Sequence, residues 1–196
     1  MSRIALLSNW YSSKLTVKNH VIMMIFFLIS YFGLIIFTFV PLSNQIEKSG
    51  YSTADLQNAS DRNQIETILT AFEPYMNEVQ LLTFFDYMFI IAGVGLAWSI
   101  FSIIRKSNSD SKFIMRYCDI GFIITAISRS LDALENLLVI FIYSNKDNFQ
   151  NWLISAVNSV EDIKWVFVTI EYILLFITIL FHFLFRFSKG KKKLNN

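Results

Sequence analysis

From Val21 to Val40 the chain runs for twenty residues without a charge, and Pro41 follows. A helix of that length rises 1.5 Å per residue and covers about 30 Å, the thickness of a bilayer's hydrocarbon core. Backbone groups in lipid must satisfy one another, so such a run folds as a helix, and Pro41 is expected to close it. Composition supports the same environment. Of 196 residues, 54% are hydrophobic and only 16% charged, against about 25% charged in a soluble domain. Such hydrophobicity excludes a disordered chain, and so few charges argue against a soluble globular one. The net charge of +2 is too small to suggest a nucleic-acid partner. A lone cysteine, Cys118, excludes an internal disulfide and a cysteine metal cage. The N-terminal charged region reaches His20 and the apolar run after it lacks a small-residue cleavage site, so no cleavable signal is expected.

Three further spans are read at about 80–104, 117–143 and 163–185, giving four with the first at 21–40. The expected fold is all-α: a four-helix transmembrane bundle forming one integral membrane domain over 1–196. Basic residues set its orientation. Arg3, Lys14, Lys18, Arg105, Lys106, Lys112, Arg116, Arg186, Lys189, Lys191, Lys192 and Lys193 fall on one side, and Lys48, Arg62 and Lys146 on the other. Both termini are therefore expected in the cytoplasm, with a plasma (inner) membrane as the location. The Lys-rich tail suits anionic lipid as well as a topology signal.

The external loop, 42–79, is too long to be a simple turn. Ile65, Ile68, Leu69, Phe72, Met76 and Val79 recur at helical spacing, which predicts an amphipathic helix from about Asp61, capped by Ser60 and kinked or ended by Pro74. Ser52 is expected to cap a shorter helix containing Asp55. The longer helix fits a lid packed over the bundle's outer mouth, or a docking surface for a protein partner. Asn58-Ala59-Ser60 is a glycosylation sequon, meaningful only in a eukaryotic secretory setting.

The charges inside the spans carry the functional signal. In the third span Thr125, Ser128, Arg129, Asp132, Glu135 and Asn136 share one helical face, extended upstream by Gly121 and Cys118. In the fourth, Lys164, Glu171, Thr178 and His182 share a face. The second offers Asp86 with Gly93 and Ala97, a small-xxx-small spacing that lets helices approach closely. Counted from the outer span ends, Asp86, Glu135 and Glu171 lie about 9–12 Å deep. Four acids, Asp86, Asp132, Glu135 and Glu171, face two cations, Arg129 and Lys164. That surplus is expensive in a low-dielectric core unless some carboxylates are protonated, hydrated or hold a cation. Asp86, Arg129, Asp132, Glu135, Asn136, Lys164 and Glu171 are thus the candidate ligand-binding residues, with purely structural ion pairing as the competing reading.

Zinc spacings, phosphate loops and nucleophile elbows are absent, so no metal site or cofactor is expected. His20 and His182 lie far from the acids. The function that follows is binding or translocation of a proton, a cation or a small polar ligand, in a protein leaning away from enzymes. Two alternatives stay open: an intramembrane enzyme acting on a lipid head group with Asp132 and Glu135 as acid and base, and an assembly subunit of a membrane complex.

Asp86-Tyr87-Met88-Phe89, Asp132-Ala133-Leu134-Glu135-Asn136 and Lys164-Trp165 together carry a resemblance. Over roughly 52–185 the chain resembles a set of four-span, mostly bacterial membrane proteins with Asp-Tyr, Asp-x-x-Glu-Asn and Lys-Trp motifs. Members often have a proline soon after the Asp-Tyr, where this chain has Ile90 and Ile91. The resemblance implies the four-span architecture and the chosen residues, and no activity.

Overall fold

A computed structural model describes residues 3–146 and 148–194, with side chains described for 8–146 and 148–187. The side chains of Arg3 and of the tail lysines Lys189, Lys191, Lys192 and Lys193 lie outside that set. The described chain is helical throughout: α1 (Arg3–Lys14), α2 (Val17–Leu34), α3 (Val40–Ile46), α4 (Thr53–Gln57), α5 (Arg62–Phe72), α6 (Met76–Ser107), α7 (Lys112–Ser144) and α8 (Trp152–Leu194). Three helical stretches are long and apolar enough to cross a membrane: Val17–Ser49, Arg62–Ser107 and Trp152–Phe187. α7 spans 33 residues but carries Arg116, Asp119, Arg129, Asp132 and Glu135, and is not among them.

Pro41 does not close the first span. A π-helical turn, Ile35–Phe39, joins α2 to α3, and Val40 N–H reaches back to the Ile35 carbonyl. Pro41 lacks an N–H and its ring crowds the carbonyl four residues earlier. The wider π turn absorbs both defects, so the rod continues to Ser49. It stops at Gly50, whose φ of 89° lies in the left-handed region, a conformation glycine adopts without a Cβ penalty.

The chain forms two compact units. Unit A comprises Met1–Phe27, Val94–Ser128 and Phe167–Asn196, and unit B comprises Leu28–Gly93 and Arg129–Val166. The core of unit A is Ala97, Phe101, Ile104, Ile114, Cys118 and Phe122. α1 lies against it. Tyr11 packs edge-on to Trp98 and Phe122 at 5.2 and 5.8 Å between centroids. Ser8 donates to Asp119, which also holds Arg105 at 3.0 Å, and Arg105 donates to Asn9. Close packing there depends on glycine: a Cβ at Gly95 would overlap the Phe27 ring, and one at Gly121 the Phe101 ring. Gly121→Ala should therefore destabilise the protein by about 1–3 kcal/mol through overpacking. Thermal melts of the purified variant read this, and an unchanged melting temperature would contradict the packing.

Unit B buries one face of α5. Ile65, Ile68, Leu69 and Phe72 are each at most 1% exposed and pack with Leu138, Val139, Ile142, Phe149, Leu153 and Val157. The α5 cap is Asp61, not Ser60: Asp61 is extended and its carboxylate accepts from Gln64 N–H at 2.9 Å. Gln64 in turn accepts from Ser60 N–H at 2.9 Å. The carboxylate one residue closer to the helix reaches the third N–H, and Ser60 is left as Gln64's donor. Pro74 sits in a short 3-10 turn, Glu73–Tyr75, between α5 and α6.

α4 begins with a reciprocal cap. Ser52 Oγ accepts from Asp55 N–H at 3.2 Å, and Asp55 accepts from Ser52 N–H at 2.6 Å. Those donations hold the Asp55 carboxyl below its ordinary value, backbone hydrogen bond first and hydroxyl second. A depressed folded-state value stabilises above the unfolded value and loses that contribution as pH falls through the folded one. Ser52→Ala should cost about 1 kcal/mol at neutral pH, and the difference from the parent should narrow below the usual carboxylate range. Paired melts at neutral and acid pH check this; a gap that widens in acid would contradict it.

Candidate functional site

The polar stripe of α7 is buried. Thr125, Ser128 and Glu135 are 0% exposed, while Leu134, Leu137 and Phe141 on the other faces are more than 40% exposed. This is the reverse of a soluble helix, whose charged face meets water. α8 behaves alike: Glu171 and Thr178 are buried, and Trp165, Val166, Ile173 and Phe176 are exposed.

Unit B brings together six of the seven candidate residues. Lys164 Nζ lies 3.4 Å from Asp132 Oδ1 and pairs closely with Glu135 Oε2. Arg129 Nη1 approaches Asp132 Oδ2 at 3.8 Å, one helical turn away. Asn136 donates to Asp86 Oδ2, linking α7 to α6. Tyr87 donates its hydroxyl to the Ala133 carbonyl at 3.2 Å, a second link between the same helices. The Lys164 ammonium also lies 5.5 Å from the Trp165 ring centroid. Glu135 is fully buried, and its Oε1 has no hydrogen-bond partner among the described residues.

The seventh residue, Glu171, belongs to unit A, where it accepts from Ser128 Oγ at 2.5 Å and from Thr125 Oγ1 at 3.3 Å. Among the six candidate residues in unit B, three acids, Asp86, Asp132 and Glu135, stand with two cations, Arg129 and Lys164. Asp132 contacts both cations and Glu135 one. The close donor to Asp86 is a neutral amide. Charge-assisted bonds of this kind are the strong ones, and removing one partner strands a charge in a low-dielectric setting.

The neighbour of Gly93 is the Arg129 side chain: a Cβ at Gly93 would stand 3.3 Å from Arg129 Cζ and Nε. The missing side chain on α6 makes room for the guanidinium. Spacing alone identifies a small residue without telling which neighbour needs the space. The histidines lie in unit A. His182 Nδ1 is 2.7 Å from Asn108 Nδ2, and His20 is fully buried beside Tyr11, at 5.5 Å between ring centroids.

Among the described residues no group of three or more His, Cys, Asp or Glu side chains converges as a metal site would require. Unit B has a cleft of about 500 Å³ lined by Glu73, Met76, Tyr143, Asn145 and Lys146. A second, of about 420 Å³, is lined by Leu138, Phe141, Phe149 and Trp152. None of the acidic cluster lines either cleft. Compared with known proteins, the chain matches no family model, no curated protein and no solved structure.

Proposed function

We propose that the chain is an integral membrane protein that crosses the bilayer four times, α7 being the third crossing, and that its acidic cluster binds or translocates a proton, a cation or a small polar ligand. The residues around α4 and α5 would form an amphipathic external lid, and both termini would be cytoplasmic, on the side richer in Lys and Arg. The four-span set with Asp-Tyr, Asp-x-x-Glu-Asn and Lys-Trp motifs is the family the chain would join. A charged helix such as α7 is tolerated in a bilayer when its ionisable stripe is buried and paired.

One observation carries the functional reading. Glu135 is wholly buried with one oxygen lacking any hydrogen-bond partner among the described residues, inside a cluster that has more acids than cations. Buried polar atoms are normally satisfied, so an orphaned carboxylate oxygen is a place for a donor or a cation. Its burial weighs against the lipid-enzyme alternative, because a general acid or base must come within hydrogen-bond reach of its substrate.

The test is a thermal-stability screen of detergent-purified protein across pH, cations and polar ligands, with Glu135→Gln alongside. A ligand that binds only the folded state stabilises it by about 2.7 kcal/mol at a hundredfold excess over its dissociation constant. A shift in the parent that disappears in the variant is expected. An unshifted parent in every condition would make the cluster structural.

A further inference from the structure

Among the described residues, the charged and titratable groups of the acidic cluster come from three helices. α6 supplies Asp86 and Tyr87. α7 supplies Arg129, Asp132 and Glu135, with Asn136 as an amide. α8 supplies Lys164 and, within electrostatic reach of Glu135, Glu161. Both cations are engaged: Arg129 with Asp132, and Lys164 with Asp132 and Glu135. The Tyr87 hydroxyl donates to the Ala133 carbonyl. Asp86 receives a hydrogen bond from the Asn136 amide, which brings no charge. The Asp86, Asp132, Glu135 and Glu161 carboxylates thus outnumber the two cations. A positively charged ligand relieves that excess. A metal ion needs several converging oxygens, six or more for calcium and near-octahedral geometry for magnesium, and no group of three acids or histidines converges among the described residues. A proton needs a single oxygen.

We propose that the cluster's ligand is one proton, bound at the unpartnered Oε1 of Glu135. This rests on reading the cluster as a binding site. In the binding step a hydronium ion gives its proton to a carboxylate oxygen. An O–H bond forms on the carboxyl as one breaks on hydronium, and water leaves. The excess of carboxylate over cation falls by one charge, and release reverses the step.

The experiment is an infrared titration of the full-length protein in lipid nanodiscs, following the carbonyl stretch of protonated carboxyl groups, with melting temperature measured over the same pH series. At pH values above the ordinary carboxylate range the parent should show one protonated carboxyl per chain, with a matching pH-dependent shift in melting. Glu135→Gln should lose the band and the shift. Asp86→Asn leaves both cations their carboxylate partners, so it should stay folded and keep both. A parent without a band in that range, or a band that survives Glu135→Gln, would overturn the proposal. Sodium chloride, magnesium chloride and spermidine at fixed pH are the control probes. If one of them stabilises the parent while no band appears, the proton assignment falls and the broader binding reading stands. If neither pH nor any cation changes the parent, both fall.

Discussion

Lys164→Ala should destabilise the protein by about 3–5 kcal/mol, the cost of breaking a buried ion pair by removing one partner. The Lys164 side chain is 11% exposed and its partner Glu135 is fully buried. Removing the ammonium leaves Glu135 with neither oxygen paired and Asp132 with Arg129, at 3.8 Å, as its cation. The exposed pair Lys146–Glu73, with side chains 42% and 53% exposed, gives the contrast. Lys146→Ala should cost less than about 1 kcal/mol, because water screens a surface pair. Melting of the two variants side by side reads the difference. Equal effects would show that Lys164 is solvated and that the cluster is not a desolvated network.

Phe72→Ala should cost a similar amount, about 3–5 kcal/mol, by a different route. Phe72 is 0% exposed and closes the cluster formed by α5, the end of α7 and the start of α8. Truncation removes the buried ring and leaves a cavity that surrounding helices fill only in part. Because α5 holds its place through that face, proteolysis should also speed up between Ser60 and Pro74. A variant that melts and resists protease like the parent would mean that α5 is not docked through Phe72.

The sequence makes much of this legible, for identifiable reasons. The run from Val21 to Val40 declares itself because uncharged length has one structural outcome in lipid. The α7 stripe is legible because six polar residues, Thr125, Ser128, Arg129, Asp132, Glu135 and Asn136, recur three and four apart on a single face. The face of α5 follows from Ile65, Ile68, Leu69 and Phe72 in the same way. What escapes depends on neighbours distant in the chain. Pro41 looks like a terminator until a π turn relieves its clash. Ser60 and Asp61 are both good caps, and the extended Asp61, one residue nearer the helix, takes the role. The packing of α1 rests on Ser8, Asn9, Arg105 and Asp119, which lie about a hundred residues apart and follow no periodic pattern. In sequence the four acids look like one set. Glu171 nevertheless finds its hydroxyl partners in unit A, because a heptad face says which side a residue takes and not which neighbour it meets.

The central claim is that the Asp86–Asp132–Glu135–Lys164 cluster binds something rather than merely bracing helices. The double variant Lys164→Met with Glu135→Leu tests it most directly. Replacing both members of a buried pair by well-packed apolar side chains of similar volume is often close to neutral in stability. The double variant should therefore melt within a few degrees of the parent, yet show none of the parent's pH- or cation-dependent shift. A double variant that keeps the full shift would contradict the claim and leave the cluster a structural brace.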